Sequence, residues 1–235
     1  MNIIKAFWCA LYGDNEDCDP TETIVLYFEE QKGLYDCGLC CVKMALKWYN
    51  LNGFGEFNVN KLINEHEIST FTTPLWTIDL YCFLRSNNIN CIMYTTSVGV
   101  NPALYDIDWY NRHINVDLKR VQDKFALAEH NQWITKTHSI SISEIIKKFI
   151  DNNKIIAIIL VDSNILNLAG YSATPATYSG HFIILSAYKP ETNKFEYVNP
   201  SSSKPFYKYI NVEKLDRARK ATGTDEDLIF INTSD

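Results

Sequence analysis

Gln31, Cys37, His181 and Asn199 have the types and the order that thiol chemistry requires. A cysteine attacks as its thiolate. It needs a base to take its proton, a third group to orient that base, and donors for the oxyanion that forms. Cys37 opens the run Cys37-Gly38-Leu39-Cys40-Cys41-Val42-Lys43-Met44-Ala45-Leu46, which reads as the start of a buried helix. A thiol in such a first turn is expected to have a lowered pKa, because free amides and the helix dipole favour negative charge there. The same amides, with the side-chain amide of Gln31 on the preceding loop, would hold the oxyanion. One donor of that kind is worth roughly 2.7–4 kcal/mol of barrier. His181 would be the base and Asn199 its orienting group, and this chemistry requires no metal or cofactor.

Other readings of the same residues remain open. Cys37-Gly38-Leu39-Cys40 is a Cys-x-x-Cys at a helix start, as in redox proteins. It could also be half of a zinc site, although Cys9, Cys18, Cys82 and Cys91 supply no second close pair. A non-enzymatic interaction module could use the aromatic residues, 13% of the chain, as binding anchors.

The elements that must position these groups follow from pattern. Residues 23–28 read as a strand. Residues 37–49 read as a helix apolar on nearly every face, with Asp36 as its N-cap and Asn52-Gly53 as its stop. Helices are expected at 57–66, at 74–84 with Pro74 in the first turn, at 117–129, and at 141–150, where Ser141 and Glu144 form a capping box. Strands are expected at 90–96, 154–161, 181–188, 195–198 and 228–231. Helices come first and strands later, which favours α+β over a doubly wound sheet. The strands holding His181 and Asn199 read as a hairpin around 189–194. A turn centred on Pro190 would oppose the two residues, whereas one centred between Glu191 and Thr192 would set Asn199 against Ile184. The long connections 98–115 and 162–179 are expected to be lids or rims.

Composition bounds the rest. The 235 residues suit one domain spanning 1–235, and 21% charged with 46% hydrophobic residues suits a globular protein. The net charge of −6 argues against nucleic acid or an anionic membrane as partner. Lys214, Arg217, Arg219 and Lys220 read as a solvated helix and turn, and the acidic groups Asp106 with Asp108 and Asp225, Glu226, Asp227 as solvated loops. Seven cysteines, three of them within residues 37–41, fit a reducing compartment better than a disulfide framework. The cytosol, or cytosol plus nucleus, is therefore expected. The apolar stretch 6–12 is a weak secretory signal, and nothing approaches a membrane span.

The runs Tyr35-Asp36-Cys37-Gly38-Leu39-Cys40-Cys41 and Trp76-Thr77-Ile78-Asp79-Leu80, the block Tyr178-Ser179-Gly180-His181-Phe182-Ile183-Ile184-Leu185, the pair Asn199-Pro200 and the tail Gly223-Thr224-Asp225-Glu226-Asp227-Leu228-Ile229-Phe230 together carry a family signal. In this order they resemble the guanylyl cyclase domain-containing protein family. That family looks like a branch of the papain-like superfamily, similar to the bacteriocin-processing peptidases. The resemblance implies a papain-like α+β fold, with a central N-terminal helix in a helical half packed on an antiparallel sheet half. It also implies the triad Cys37, His181 and Asn199, with Gln31 at the oxyanion position. Trp76, Asp79 and the loop 162–179 are the expected rim of the cleft. A monomer that cleaves a peptide or isopeptide bond of a peptide or protein substrate is the first expectation. The family's name records another activity, cyclisation of GTP to cyclic GMP, which needs metal ions and phosphate donors. The chain has no P-loop or dinucleotide fingerprint.

Overall fold

The computed structural model describes residues 26–65, 74–111, 113–167, 177–203 and 207–232. The helices are α1 (Cys37–Leu51), α2 (Val59–Glu65), α3 (Thr77–Ser86), α4 (Asp108–Asn111), α5 (Ile114–His130), α6 (Ile142–Asp151), α7 (Ser163–Asn167) and α8 (Val212–Arg219). The strands are β1 (Cys91–Tyr94), β2 (Thr135–Lys136), β3 (Ile156–Asp162), β4 (Gly180–Lys189), β5 (Lys194–Val198), β6 (Lys208–Asn211) and β7 (Leu228–Ile231). They form one sheet in the order β2-β1-β7-β3-β4-β5-β6, antiparallel at every described pairing except β1 with β2.

Strands β3 and β7 are buried at every residue, so both faces of the sheet need cover. One face sends Ile158, Leu160, Phe182 and Ile184 into a core with α1, α3 and α5. The other sends Ile159, Ile183, Leu185 and Phe230 into a second core with α6, α7 and α8. The expected α+β class is observed. Its layering corrects the picture of one helical half against one sheet half, because helices close both faces. Helix α1 lies close on β4. A Cβ added at Gly38 would sit 3.1 Å from the Phe182 ring and 3.2 Å from Leu80, so glycine permits that approach.

Local chemistry explains where the element ends moved. Ser141 Oγ accepts from the Glu144 amide at 3.2 Å and Glu144 Oε2 accepts from the Ser141 amide at 2.9 Å, the expected capping box. Asn58 caps α2 by accepting from the Lys61 amide at 3.0 Å, which starts that helix at Val59. Pro74 is not in the first turn of α3, because Trp76 holds the N-cap position and Asp79 closes it by accepting from the Trp76 amide at 2.8 Å. Residues 26–28 are not a strand; the rest of the strand expected at 23–28, like His66 and the stretch 6–12, lies outside the described residues.

The β4–β5 hairpin decides where Asn199 goes. Lys189 pairs with Lys194 and Tyr188 with Phe195, so the turn is centred between Glu191 and Thr192. A regular ladder about that centre would put Asn199 against Ile184, on the face opposite to His181's position in the alternation. A bulge between Leu185 and Ala187 shifts the register, giving Leu185 with Tyr197 and Ile184 with Val198. Carried one residue further, the shifted register brings Asn199 to Ile183, in phase with His181. The buried Ser186 and Glu196 pin the bulge, Ser186 Oγ donating to Glu196 Oε1 at 2.7 Å, and the exposed Tyr209 donates to Glu196 Oε2 at 3.2 Å.

The basic stretch on α8 is not a wholly solvated face. Arg219 is 0% exposed and donates from Nη2 to the Ile140 carbonyl at 2.8 Å and to Asp216, and from Nη1 to Glu226 at 3.2 Å. Burying a guanidinium is costly unless it is paired; here the two Nη groups are matched while Nε is not, and the pairs tie α8 to the turn before β7. Arg219→Ala is expected to lower unfolding free energy by roughly 3–5 kcal/mol in urea denaturation, and Arg219→Lys by less.

Candidate active site

Asn199 Oδ1 lies 2.8 Å from His181 Nε2. The same oxygen accepts from the Ser201 amide at 2.9 Å and from Ser201 Oγ at 2.8 Å. A backbone N–H can only donate, so the Asn199 atom must be its carbonyl oxygen, and His181 Nε2 must carry the proton. In the neutral ring Nδ1 is then the acceptor. Burial holds the imidazole below its ordinary pKa of 6.5; the Asn199 bond pulls it up and the Lys208 charge pushes it down. The ring is neutral near pH 7 and has a basic nitrogen at Nδ1.

Cys37 stands at the start of α1, 8% exposed, with its thiol at the backbone amide of Phe182, the residue after His181. Burial pushes this thiol above its ordinary 9.0, and Asp36 adds to the rise, while the amides of Phe182, Gly38 and Cys37 act against both. The lowered pKa expected from the helix start is therefore overturned, because desolvation outweighs the dipole. The resting pair is a neutral thiol and a neutral imidazole. Along β4 the pleat sends Phe182 and Ile184 toward α1 and Ile183 and Leu185 away from it. An approach of the imidazole to the thiol thus depends on the end of the strand rather than on regular alternation.

Asp36 sits at the N-cap position but does not cap α1. Its Oδ2 turns back to accept from the amides of Lys32 and Gly33, both at 3.0 Å, and so shapes the loop that carries Gln31. The Gln31 amide donates to the Pro200 carbonyl at 2.8 Å, which fastens this loop to the segment holding Asn199. Its side-chain Nε2 donates to the Gly33 carbonyl at 2.7 Å, leaving the second N–H of that amide for another acceptor.

Beside the thiol lies a cavity whose walls include Cys37, Trp76, Thr77, Trp109, Tyr110 and Asp227. Trp76 is there as expected for a rim residue. Asp79 is not: besides closing α3 it pairs with Arg120, and it is buried in the scaffold that joins α3 to α5. Trp109 and Tyr110 come from the long connection 98–115, which had been marked by its length alone. The other connection, 162–179, contributes Tyr178, whose ring stacks on Tyr110 at 5.7 Å; residues 168–176 lie outside the described set. Tyr178 also packs on Gly223, where φ of +111° and a Cβ only 3.0 Å from the ring both call for glycine.

The acidic turn is three different things rather than one solvated loop. Glu226 pairs with Arg219 and accepts from Ser139 at 2.6 Å, and Asp225 accepts from Asn101 at 2.7 Å. Asp227 is buried, and burial pushes its carboxyl up to about 8, with Thr77 and Thr95 acting against the rise and Asp225 with it. The solvated-loop reading of Asp227 is thus corrected; its place in the family motif 223–230 was the one sequence signal of a more specific role.

The family model described as guanylylate cyclase matches residues 26–231. The chain belongs to that family. It is 33% identical over 210 residues to Guanylyl cyclase 1 of Arabidopsis thaliana, a match that covers 86% of this chain and 73% of that protein. The matched span contains every residue of the site just described.

Because the Nε2–H bond to Asn199 favours the imidazolium, Asn199→Ala is expected to lower the His181 pKa further below 6.5, as read by NMR titration of the ring. The depressed folded-state value also has a stability consequence. The unfolded chain takes up the proton first as pH falls below about 6.5, so this histidine's contribution to stability is present above that pH and is lost below it.

Proposed function

We propose that the site performs thiol-dependent acyl transfer in a papain-like arrangement, hydrolysing a peptide or isopeptide bond of a peptide or protein substrate. The observation that carries this reading is the His181–Asn199 hydrogen bond of 2.8 Å, which leaves Nδ1 basic one residue from the amide that holds the Cys37 thiol. In the first step Nδ1 takes the Sγ proton as sulfur bonds the carbonyl carbon, and the oxyanion is held by the Cys37 amide and the remaining N–H of Gln31. The carbonyl–nitrogen bond then breaks, His181 returns the proton to the leaving amine, and a thioester remains. Water, deprotonated by His181, cleaves the thioester and frees the thiol. Starting from a neutral pair, the reaction depends on proton transfer within the transition state. We also propose a monomer acting in a reducing compartment, cytosol with or without nucleus. Support comes from the free thiols of Cys37, Cys40, Cys41, Cys82 and Cys91, and no helix among the described residues is long and apolar enough to cross a membrane.

The second reading is GTP cyclisation, and the names of the family and of the plant relative favour it over hydrolysis. Such chemistry would draw on metal ions held by carboxylates. Among the described residues no three His, Cys, Asp or Glu side chains gather as a metal-ligand group, and Asp227 is proton-bearing at neutral pH; the residues do not fit that group.

One preparation tests both. Labelling by a peptide-like electrophile and hydrolysis of a peptide library are expected to fall by roughly 1000-fold or more in Cys37→Ala and His181→Ala, and less in Asn199→Ala. Cyclic GMP formation that survives Cys37→Ala, with no thiol-dependent hydrolysis in the parent protein, would replace the first reading by the second.

A further inference from the structure

Asp227 is 8% exposed, and its Oδ1 has no hydrogen-bond partner of normal geometry among the described residues; neither has the hydroxyl of Thr77 beside it. Both belong to the cavity wall next to Cys37. Thr77 and Thr95 offset part of the cost of burying this carboxyl, but an oxygen of it left without a partner is destabilising unless something else satisfies it. Aromatic rings share the wall with aliphatic residues such as Leu75 and Leu160: the Trp76 and Tyr110 rings are 5.2 Å apart, and Trp109 lies 6.4 Å from Tyr178. Electron-rich ring faces around an acid attract a cation rather than an anion.

Size narrows the class of cation. The cleft has ≈530 Å³ of empty space when its open mouth is included, but the room in which a water-sized group can sit is only ≈30 Å³. A single water needs about 10–15 Å³ by that measure, so one or two small groups fit, whereas drug-sized ligands occupy pockets of about 300–1,000 Å³. An ammonium head fits this space and a purine does not.

We propose that the cavity is a subsite for a primary ammonium group of the substrate, a lysine side chain or a chain N-terminus, with Asp227 as its counter-ion and the Trp76, Trp109 and Tyr110 rings as its walls. The proposal rests on the thiol-hydrolase reading only for calling the ligand a substrate. An entering ammonium would convert the proton-bearing Asp227 to a carboxylate, releasing one proton. Asp225 on the same turn, Tyr110 and Tyr178 from the facing connections and Cys37 from α1 are the other titratable groups facing it. Burial raises both tyrosines and the thiol, so they stay neutral near pH 8.

Binding is read on Cys37→Ala protein, where no turnover intervenes, by NMR shifts of the Trp76 and Trp109 indole N–H groups. The probes are N-acetyl-lysine methylamide, norleucine methylamide with a free N-terminus, and the neutral N-acetyl-norleucine methylamide. At least one cationic probe is expected to bind roughly 10- to 100-fold more tightly than the neutral one, the range that a hydrogen bond to a charged group supplies. Asp227→Asn is expected to remove the preference. With Asp227 intact, the lysine preference should rise as pH increases through about 8, as the carboxyl ionises. An α-amine, with its own pKa of about 7.7–8.0, should lose its advantage above that range, which separates the two sources. Equal binding of cationic and neutral probes at every pH overturns the subsite, whether or not Asp227→Asn folds. So does GTP shifting the same indoles in an Asp227-dependent way when the amines do not. Ammonium binding in a protein that hydrolyses no peptide leaves the subsite standing and removes the thiol reading alone.

Discussion

Close contact between the first turn of α1 and the first residues of β4 is the constraint on which the site depends. Gly38 has no side chain, so the helix start can lie against Phe182 and Leu80, and the Cys37 thiol meets the Phe182 amide. The contact has two opposite electrostatic effects. It brings free amides to the sulfur, which favours thiolate, and it removes the sulfur from water, which favours thiol. Burial wins: the nucleophile rests protonated, and His181, whose neighbour along β4 supplies that amide, is neutral for the same reason.

The same burial organises the polar groups around the site. A sheet covered on both faces leaves little water for side chains within it, so each buried polar group is matched or is conspicuous. Glu196 is matched by Ser186 and Tyr209 at the β-bulge; Arg219 is held by Ile140, Asp216 and Glu226 below the acidic turn and Asp79 by Arg120 at the head of α3, although Arg219 Nε and Asp79 Oδ1 stay unmatched. These pairs join separate elements. Asp227 stands apart because it combines an unmatched oxygen with a place in the cavity wall.

Membership of a family described as guanylylate cyclase and possession of a hydrogen-bonded His181–Asn199 pair are separate observations about one chain. A fold carries many chemistries, so the name constrains ancestry more firmly than reaction.

Much of the architecture was legible from local pattern. The apolar runs of β3, β4 and β7, the all-round apolar α1 and the Ser141–Glu144 capping box depend on neighbouring residues, and such short-range preferences survive into the fold. The order Gln31, Cys37, His181, Asn199 was likewise visible, and the length of the 98–115 connection marked the segment whose Trp109 and Tyr110 line the cavity. What sequence could not decide were matters of long-range placement. A single extra residue at the β4–β5 bulge brings Asn199 into phase with His181, and no local signal marks it. Whether Asp79 or Asp227 faces the cavity turns on Arg120 and Thr77, which are remote from one or the other in sequence. The pKa of Cys37 reversed its expected direction because desolvation is a property of the packed interior, and packing exists only once distant segments have met.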